Sequence, residues 1–379
     1  MEIKSQKIFF PNLDGLRFFA FFAVLLRHSG NTDFQYINTN PAFIFVKKYF
    51  FMNGLLGVNF FFVLSGFLIT YLLLNEKTVF GKIDIKSFYI RRILRIWPVY
   101  FLTLIIGFLI VPYFKSATGI SEPINANPWY YIFFIGNFHA VYLNSPNSPV
   151  LDRLWSIAVE EQFYLIWPVV IAFVPIKKLP LTFSLLILIS AVYRFIHNNE
   201  SEVIQFHTLA AMSDLVVGSW AAYLIFFKDK FKSYFENIPR WQVLIIYLLT
   251  FSILFGYKVI LRNVPCQLVF QILFGVVFSL VILEQNYARN SFFKMSNFKW
   301  ISKWGVWTYG LYCYHALGIY AAILISKKLG FNTTTFEVLV TDTLIALAVS
   351  LLISWLSYKY FETPFLRLKN KLQKVKAHQ

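Results

Sequence analysis

The chain alternates between long apolar runs and short polar segments along most of its length. A helix that crosses a bilayer needs about 20 consecutive, mostly apolar residues. Ten runs approach that length, so the pattern predicts an all-α integral membrane protein, a bundle of about ten transmembrane helices. A further apolar stretch, 129–138, is too short to span and is predicted to be re-entrant or interfacial. The predicted spans are 13–29, 55–74, 95–113, 155–175, 180–197, 209–227, 242–257, 266–284, 306–326 and 338–360.

The distribution of positive charge predicts the orientation of these spans. With an even number of spans both termini lie on one side, and that side holds 23 of the 35 Lys and Arg residues. Because cytoplasmic loops are enriched in Lys and Arg, both termini are predicted to be cytoplasmic. Residues 361–379 then form a basic cytoplasmic tail, and the simplest division of the chain is a single transmembrane domain over residues 1–379.

Composition agrees with a membrane protein and argues against two other classes. Hydrophobic residues make up 58% of the chain and charged residues 14%, whereas about 25% of the residues of a soluble domain are charged. The formal net charge of +17 does not indicate nucleic-acid binding, because the Lys and Arg residues lie between apolar runs and not along one helix or arm. The excess of positive charge is therefore interpreted as a topology signal.

Ionisable residues lie in the first predicted span, and because burial of such residues in a membrane is costly, they are functional candidates. Asp14, Arg17 and His28 are three such residues. Arg17 and His28 are almost three helical turns apart, so they are predicted to face the same way with a rise of about 16 Å between them. A structural interpretation is equally open, in which Asp14 pairs with Arg17 and His28 extends to the outer interface.

Polar residues also mark the second and third spans. Asn59 and Ser65 place hydrogen-bonding groups in an apolar helix, although the small pair Ser65-Gly66 equally suits close helix packing. Arg92 and Arg95 are i,i+3 neighbours at the cytoplasmic end of the third span, and guanidinium groups suit the phosphates of a coenzyme. The same two arginines also fit the general enrichment of positive charge in cytoplasmic segments.

The fourth span starts at Trp155 and carries two adjacent carboxylates, Glu160 and Glu161. Neighbouring residues of a helix point about 100° apart, so the two side chains lie on different faces. Glu160 and Tyr164 share one face at i,i+4, where a buried carboxylate could orient a histidine. The alternative is a salt bridge to an arginine of another span. His315, in the ninth span, is a weaker candidate that also fits a satisfied structural group.

In this order, the motifs resemble those of the acyltransferase 3 family of membrane O-acyltransferases. Four short motifs within residues 13–168 carry the resemblance, two later segments fit the closing helices of that family, and residues 176–300 match by hydrophobicity alone. The matching segments are LDGLR at 13–17 leading to His28, FFVLSG at 61–66, RILR at 92–95, WS at 155–156 leading to EEQFY at 160–164, YGLYCYH at 309–315 and ETPF at 362–365.

The resemblance implies transfer of an acyl group, most simply acetyl, from cytoplasmic acyl-CoA to a hydroxyl of a cell-envelope glycan or a similar acceptor. It implies a cytoplasmic (inner) membrane protein of the stand-alone form, without a fused extracytoplasmic domain, that uses acetyl-CoA or another acyl-CoA as donor and no metal. The implied catalytic residues are His28, Glu160 and Arg17, the donor-binding residues are Arg92, Arg95 and Ser65, and the substrate-binding residues are Asn59, Trp155 and Tyr164.

The chemistry of these side chains agrees with acyl transfer. A sugar hydroxyl is a poor nucleophile that needs a base near the thioester carbonyl, and histidine suits that role at neutral pH. Direct transfer and a two-step route through an acylated His28 both fit the sequence. The alternative function is a multi-pass transporter or exporter of a small anionic or glycan substrate, which also uses buried charges, although the chain shows no internal repeat to support it.

Overall fold

A computed structural model of the chain describes residues 9–113, 124–143, 145–260 and 264–375. Every regular element within these ranges is a helix, and none is a β-strand, which confirms the all-α prediction for this part of the chain. The α-helices are α1 (Pro11–His28), α2 (Gln35–Asn38), α3 (Pro41–Tyr49), α4 (Gly54–Phe80), α5 (Ile85–Ile105), α6 (Pro128–Ile132), α7 (Gly136–Tyr142), α8 (Trp155–Phe173), α9 (Leu179–Ile196), α10 (Ser201–Phe206), α11 (Thr208–Phe227), α12 (Asp229–Glu236), α13 (Arg240–Ile260), α14 (Val264–Tyr287), α15 (Lys299–Val306), α16 (Thr308–Lys328), α17 (Asp342–Leu356) and α18 (Thr363–Val375). Single 3₁₀ turns cover Phe51–Asn53, Leu151–Arg153, Ile176–Lys178 and Met295–Asn297, and π-helical turns cover Ile106–Ile110, Glu337–Thr341 and Ser357–Glu362.

Eight helical segments of the described ranges are long and apolar enough to cross a membrane, and a ninth results if α12 and α13, which meet at 91°, form one bent span. All nine overlap spans predicted from the sequence. The remaining predicted span, 13–29, corresponds to α1, which is less apolar because it carries Asp14, Arg17 and Arg27. The eight segments are Pro41–Phe80, Ile85–Tyr113, Trp155–Phe173, Ile176–Ile196, Ser201–Phe227, Phe270–Tyr287, Thr308–Lys328 and Glu337–Lys369.

Helix α5 begins ten residues before the predicted third span, 95–113, so Arg92, which precedes that span, also lies within the helix. The carboxylate of Asp84 caps the first turn, because it accepts a hydrogen bond from the backbone N–H of Ser87 at 2.9 Å. A side-chain cap satisfies an N–H group that has no partner within the helix. Charged residues in the first turns therefore shorten the apolar run without ending the helix.

The chain divides into two compact units. The first consists of Phe62–Asp229 with the terminal segments Met1–Phe9 and Tyr358–Gln379. Within it, α9 packs against α11, and both α8 and α18 pack against α5. Helices α4 and α11 cross at two glycines: a Cβ on Gly66 would lie 1.8 Å from the Leu215 carbonyl oxygen, and one on Gly218 would lie 1.9 Å from that of Val63. Such small residues allow close backbone approach, as is common in membranes.

The second unit consists of Phe10–Phe61 and Lys230–Ser357. Within it, α1 packs against α14, α15 and α16, and α16 packs along α17. Two glycines bring other helices against the backbone of α1: Gly305 of α15 lies at the carbonyl of Asp14, and Gly57 of α4 lies at the carbonyl of Ala20. A Cβ on either glycine would overlap that oxygen, so the position of α1 is fixed by direct backbone contact.

Candidate active site

The nine residues predicted to form the site are divided between the two units. The structure therefore holds two groups of polar side chains, one in each unit. Ser65, Arg92, Arg95, Trp155, Glu160 and Tyr164 belong to the first unit, and Arg17, His28 and Asn59 belong to the second.

In the first unit, Glu160 accepts a hydrogen bond on each of its carboxylate oxygens. The hydroxyl of Tyr164, one turn later on α8, donates to Oε2 at 2.8 Å, and the hydroxyl of Ser65 on α4 donates to Oε1 at 3.0 Å. The two hydroxyl oxygens are themselves 3.0 Å apart. These three residues, which we call the carboxylate cluster, connect α4 to α8. Glu160 is partly buried, and a polar group shielded from water is stable only when its hydrogen bonds are satisfied; here a protein hydroxyl donates to each carboxylate oxygen.

The guanidinium group of Arg92 lies over the ring of Tyr164. Its central carbon is 5.3 Å from the Tyr164 ring centroid and 5.5 Å from that of Phe88 on its own helix. Cations over aromatic faces are attracted by the ring quadrupole, and more strongly where water is excluded. Arg95, one turn further along α5, is exposed. Arg92 is thus anchored by stacking while Arg95 is accessible to a ligand.

Glu161 points away from the carboxylate cluster and makes a separate polar contact. Its Oε2 accepts a hydrogen bond from the indole N–H of Trp97 at 3.1 Å, and the Trp97 ring contacts Phe134 at a centroid distance of 5.4 Å. Trp97 is not among the residues predicted for the site. It lies two residues after Arg95, and such neighbours point to different faces of a helix, so spacing does not connect the two.

Trp155 and Gln162 hold α8 against neighbouring parts of the first unit through aromatic contacts and hydrogen bonds. The ring of Trp155 lies between those of Phe62 and Phe206, at centroid distances of 6.1 and 5.1 Å, and is 8% exposed. The Gln162 side chain donates to the carbonyl of Phe134 at 2.8 Å and accepts from the Thr208 hydroxyl. Trp155 is therefore largely enclosed by protein, and α8 is held in register with the loop that follows α6.

In the second unit, Arg17 forms an ion pair with Asp14 on the preceding turn of α1. The Arg17 Nη1 and Asp14 Oδ1 atoms are 2.6 Å apart, and the two side chains are 20% and 15% exposed. This is the i,i+3 pairing that the spacing allowed. An arginine paired with a carboxylate keeps its charge at a lower desolvation cost than an isolated arginine. The pair therefore allows α1 to hold a positive and a negative charge with no net charge.

His28 ends α1 and lies against a second histidine. The ring centroids of His28 and His315, which is on α16, are 5.4 Å apart with an angle of 32° between the planes. His315 is fully buried, and its Nδ1 lies 2.7 Å from the carbonyl oxygen of Tyr312. His315 is a weaker candidate from sequence alone, because its contact with His28 depends on the packing of two helices. We call these two residues the histidine pair.

A network of side-chain amides supports the chain directly after His28. The Asn31 amide donates to the carbonyl of His28 at 2.7 Å, which satisfies a carbonyl at the end of α1. Asn332, which has a positive φ of 69°, accepts from Thr32 at 2.9 Å and donates to the buried carboxylate of Asp342. The turn after α1 is thereby fastened to the turn before α17, and the position of His28 depends on both.

Asn59, the last of the predicted site residues, is buried on α4 at 9% exposure. A search of the described residues finds no group of three His, Cys, Asp or Glu side chains that could hold a metal ion. The polar groups of the two units thus consist of side chains suited to hydrogen bonding, charge balance and proton transfer.

Comparison with known proteins places these features in a family. Residues 10–359 match the acyltransferase domain family known as acyltransferase 3. A peptidoglycan O-acetyltransferase, OatA, of Listeria monocytogenes is 27% identical over 95% of this chain and 56% of its own length. An O-acetyltransferase, OatA, of Staphylococcus aureus is 33% identical over 44% of this chain and 25% of its own length.

The chain thus spans little more than half the length of the Listeria relative. No solved structure matches it. The family match contains all nine residues predicted for the site and confirms the resemblance found in the sequence motifs. The chain belongs to the acyltransferase 3 family of multi-pass membrane proteins.

Proposed function

We propose that the protein is a membrane O-acetyltransferase that moves an acetyl group from cytoplasmic acetyl-CoA to a hydroxyl of a cell-envelope glycan. The observation that carries this proposal is the family match over residues 10–359, which includes the carboxylate cluster and His28. Relatives that are named O-acetyltransferases support acetyl as the acyl group, and the Listeria relative supports peptidoglycan as the acceptor.

Arg92 and Arg95 bind the phosphates of the donor in this proposal. Guanidinium groups match phosphate oxygens in charge and in bidentate geometry. The exposure of Arg95 and the stacked position of Arg92 support this role, because one arginine is accessible and the other is held in place. The excess of Lys and Arg on the side of both termini supports a cytoplasmic donor and an orientation with both termini inside.

His28 acts as the general base. It removes the proton of the acceptor hydroxyl, the hydroxyl oxygen forms a bond to the thioester carbonyl carbon, and the carbon–sulfur bond breaks. The proton then passes from His28 to the coenzyme thiolate, so that the products are an acetyl ester and free CoA. Arg17 steadies the carbonyl oxygen as charge develops on it, and its pairing with Asp14 supports a charge retained at that position.

The remaining predicted residues fit the same scheme. Glu160 balances positive charge and, with Ser65, fixes the hydroxyl of Tyr164. Asn59, Trp155 and Tyr164 contact the substrates. We further propose one transmembrane domain over residues 1–379 in the cytoplasmic membrane, with residues 361–379 as a basic cytoplasmic tail. The family match to parts of both units supports the single domain.

The direct test supplies purified protein in lipid vesicles with radiolabelled acetyl-CoA and peptidoglycan fragments. We expect label in the glycan, and we expect His28→Ala and Arg92→Ala to abolish it. The matched controls are His197→Ala and Arg289→Ala, which change a half-buried histidine and an exposed arginine outside the predicted site and should leave transfer unchanged. Transfer that persists in His28→Ala would refute the site.

A second arm of this experiment separates acyl transfer from transport. Vesicles that accumulate intact glycan, with no acyl donor consumed in the presence of any acceptor tried, would support the exporter instead.

Omitting the acceptor distinguishes direct transfer from the two-step route through His28. Label that becomes covalently attached to His28 in a single turnover supports the two-step route, and its absence supports direct transfer.

A further inference from the structure

His315 is held in one tautomer by the backbone of its own helix. Its Nδ1 lies 2.7 Å from the carbonyl oxygen of Tyr312. A carbonyl oxygen only accepts hydrogen bonds, so this contact requires a proton on Nδ1. In a neutral imidazole the other nitrogen, Nε2, then carries a lone pair and acts as an acceptor. The structure therefore defines which nitrogen of His315 can receive a proton or a hydrogen bond.

The geometry of the histidine pair suits such a bond. Two imidazoles joined by an N–H···N hydrogen bond of about 2.9 Å have ring centroids roughly 5 Å apart. The centroids of His28 and His315 are 5.4 Å apart at an interplanar angle of 32°, which is neither a parallel stack nor a perpendicular contact. Hydrogen bonds between catalytic groups are often long or poorly aligned without substrate and shorten when it binds.

Both rings are held by packing that restricts other arrangements. His315 is fully buried, and the ring of Phe21 on α1 meets it edge-on at a centroid distance of 6.1 Å. His28 is the last residue of α1, whose position is fixed by the backbone contact with Gly305, and the Asn31 amide holds its carbonyl. A pair that is fixed on both sides can impose an orientation on the ring that reacts.

We propose that His315 is a positioning residue for His28: Nε2 of His315 accepts the N–H of the His28 imidazole and thereby fixes which His28 nitrogen carries the lone pair. This inference rests on the proposed role of His28 as the general base. When His28 takes the proton of the acceptor hydroxyl, its ring becomes an imidazolium with an N–H on both nitrogens. One N–H then donates to His315, and the other returns its proton to the leaving thiolate.

A structural role for His315 makes a different prediction. If His315 only fills the core and satisfies the Tyr312 carbonyl, any substitution that keeps this bond and the packing should leave His28 unaffected. Asparagine is such a substitution, because its amide nitrogen occupies the position of Nδ1 while nothing replaces Nε2. Glutamine extends to the position of Nε2, where its carbonyl oxygen can accept a hydrogen bond. The pair His315→Asn and His315→Gln therefore separates the two roles.

The first test is spectroscopic and requires no turnover. The full chain, labelled with ¹⁵N in its six histidines, is placed in lipid vesicles at about pH 8.5, where an unperturbed imidazole is neutral. Signals that disappear in His28→Asn identify His28, and nitrogen shifts distinguish N–H from lone-pair nitrogens. We expect a single His28 tautomer in the wild type and in His315→Gln, and a mixture of both tautomers in His315→Asn. Phe21→Leu, which changes packing beside His315 but removes no polar atom, should retain the single tautomer.

The second test is kinetic. We expect His315→Asn to lower kcat/KM for acetyl transfer by about 10²-fold, the lower end of what a general base contributes, and His315→Gln to recover most of this loss. A single His28 tautomer in His315→Asn, or equal losses in the two variants, would overturn the proposal. If the wild type transfers no acetyl group, the proposed function fails, and the tautomer measurement still decides whether His315 orients His28.

Discussion

The hydroxyl of Tyr164 lies 2.8 Å from Oε2 of Glu160, one turn earlier on the same face of α8. Arg92 lies over the opposite part of the same side chain, with its guanidinium carbon 5.3 Å from the ring centroid. Tyr164 thus contacts a carboxylate through its hydroxyl and a cation through its ring. The position of one residue determines how these two charges are held within the first unit.

Removing the Tyr164 hydroxyl should loosen Glu160 without displacing Arg92. In Tyr164→Phe the ring face is retained, but Oε2 of Glu160 loses its donor while Ser65 still supplies Oε1. We expect acetyl transfer to fall about tenfold and stability to fall by about 1.5–3 kcal/mol, the usual range for a hydrogen bond to a charged group. Transfer rates and thermal unfolding in detergent measure the two effects. Tyr89→Phe, which removes an exposed hydroxyl from the carbonyl of Leu165, is the control and should change neither.

Replacing Arg92 by lysine tests whether its shape matters in addition to its charge. Lysine keeps the positive charge but loses the planar group that stacks on Tyr164 and Phe88 and that can contact phosphate at two points. We expect the KM for acetyl-CoA to rise about tenfold, which corresponds to about 1.4 kcal/mol, with a smaller change in kcat. The control is Arg91→Lys, whose partner Glu76 accepts either cation. An unchanged KM in Arg92→Lys would contradict donor binding by this residue.

The Asp14–Arg17 pair allows a structural role to be separated from a catalytic one. If the pair only stabilises α1, Asp14→Asn and Arg17→Gln should cause similar losses, since each substitution removes one charge of the same ion pair. If Arg17 also steadies the thioester carbonyl, Arg17→Gln should lower kcat by about 10²-fold, and Asp14→Asn should affect mainly stability. Rates and unfolding temperatures of both single variants and the double variant decide between them. Equal losses of kcat in the two single variants would exclude a direct role for Arg17.

A glycine at the crossing of α4 and α11 should tolerate no side chain. In Gly66→Ala the new Cβ would lie 1.8 Å from the carbonyl oxygen of Leu215, so the two helices must separate. We expect a loss of about 3 kcal/mol or more, at the upper end of the cost of overpacking, measured by unfolding in detergent. Gly107→Ala is the comparison, because its Cβ would lie nearest to side-chain atoms of Leu151, at 2.6 and 2.9 Å, and not to a backbone atom of another helix, so we expect a smaller loss. Equal stability of the two variants would contradict the crossing geometry.

Hydrophobic pattern alone was sufficient to predict most of the membrane helices. A span is defined by the apolarity of consecutive residues, which is a local property, so the predicted spans overlap the observed helices. The same reasoning misplaced the start of α5, because Asp84 and the arginines that follow it are polar but still helical. Apolarity indicates where a helix can contact lipid, whereas a cap determines where the helix begins.

The pairing of side chains could not be predicted in the same way. Glu160 and Tyr164 share a face because they are one turn apart, and the sequence analysis placed them together for that reason. Ser65 was singled out without a partner, and His315 was ranked low, since their contacts depend on how helices pack. That packing depends on backbone contacts such as the one between Gly305 and Asp14. Because glycine has no side chain, α15 can approach the backbone of α1 closely at this point.

The network between the turn after α1 and the turn before α17 has a consequence for synthesis. Thr32 and Asn332 are separated by 300 residues. The segment that carries His28 and Thr32 therefore leaves the ribosome long before the segment that carries Asn332. At about 5–20 residues per second the interval is roughly 15–60 s. During this time α1 can enter the membrane, but the histidine pair and the bonds to Asp342 cannot form. A nascent or truncated chain that lacks its last helices therefore contains His28, the proposed general base, without these contacts, and activity should appear only when synthesis is nearly complete.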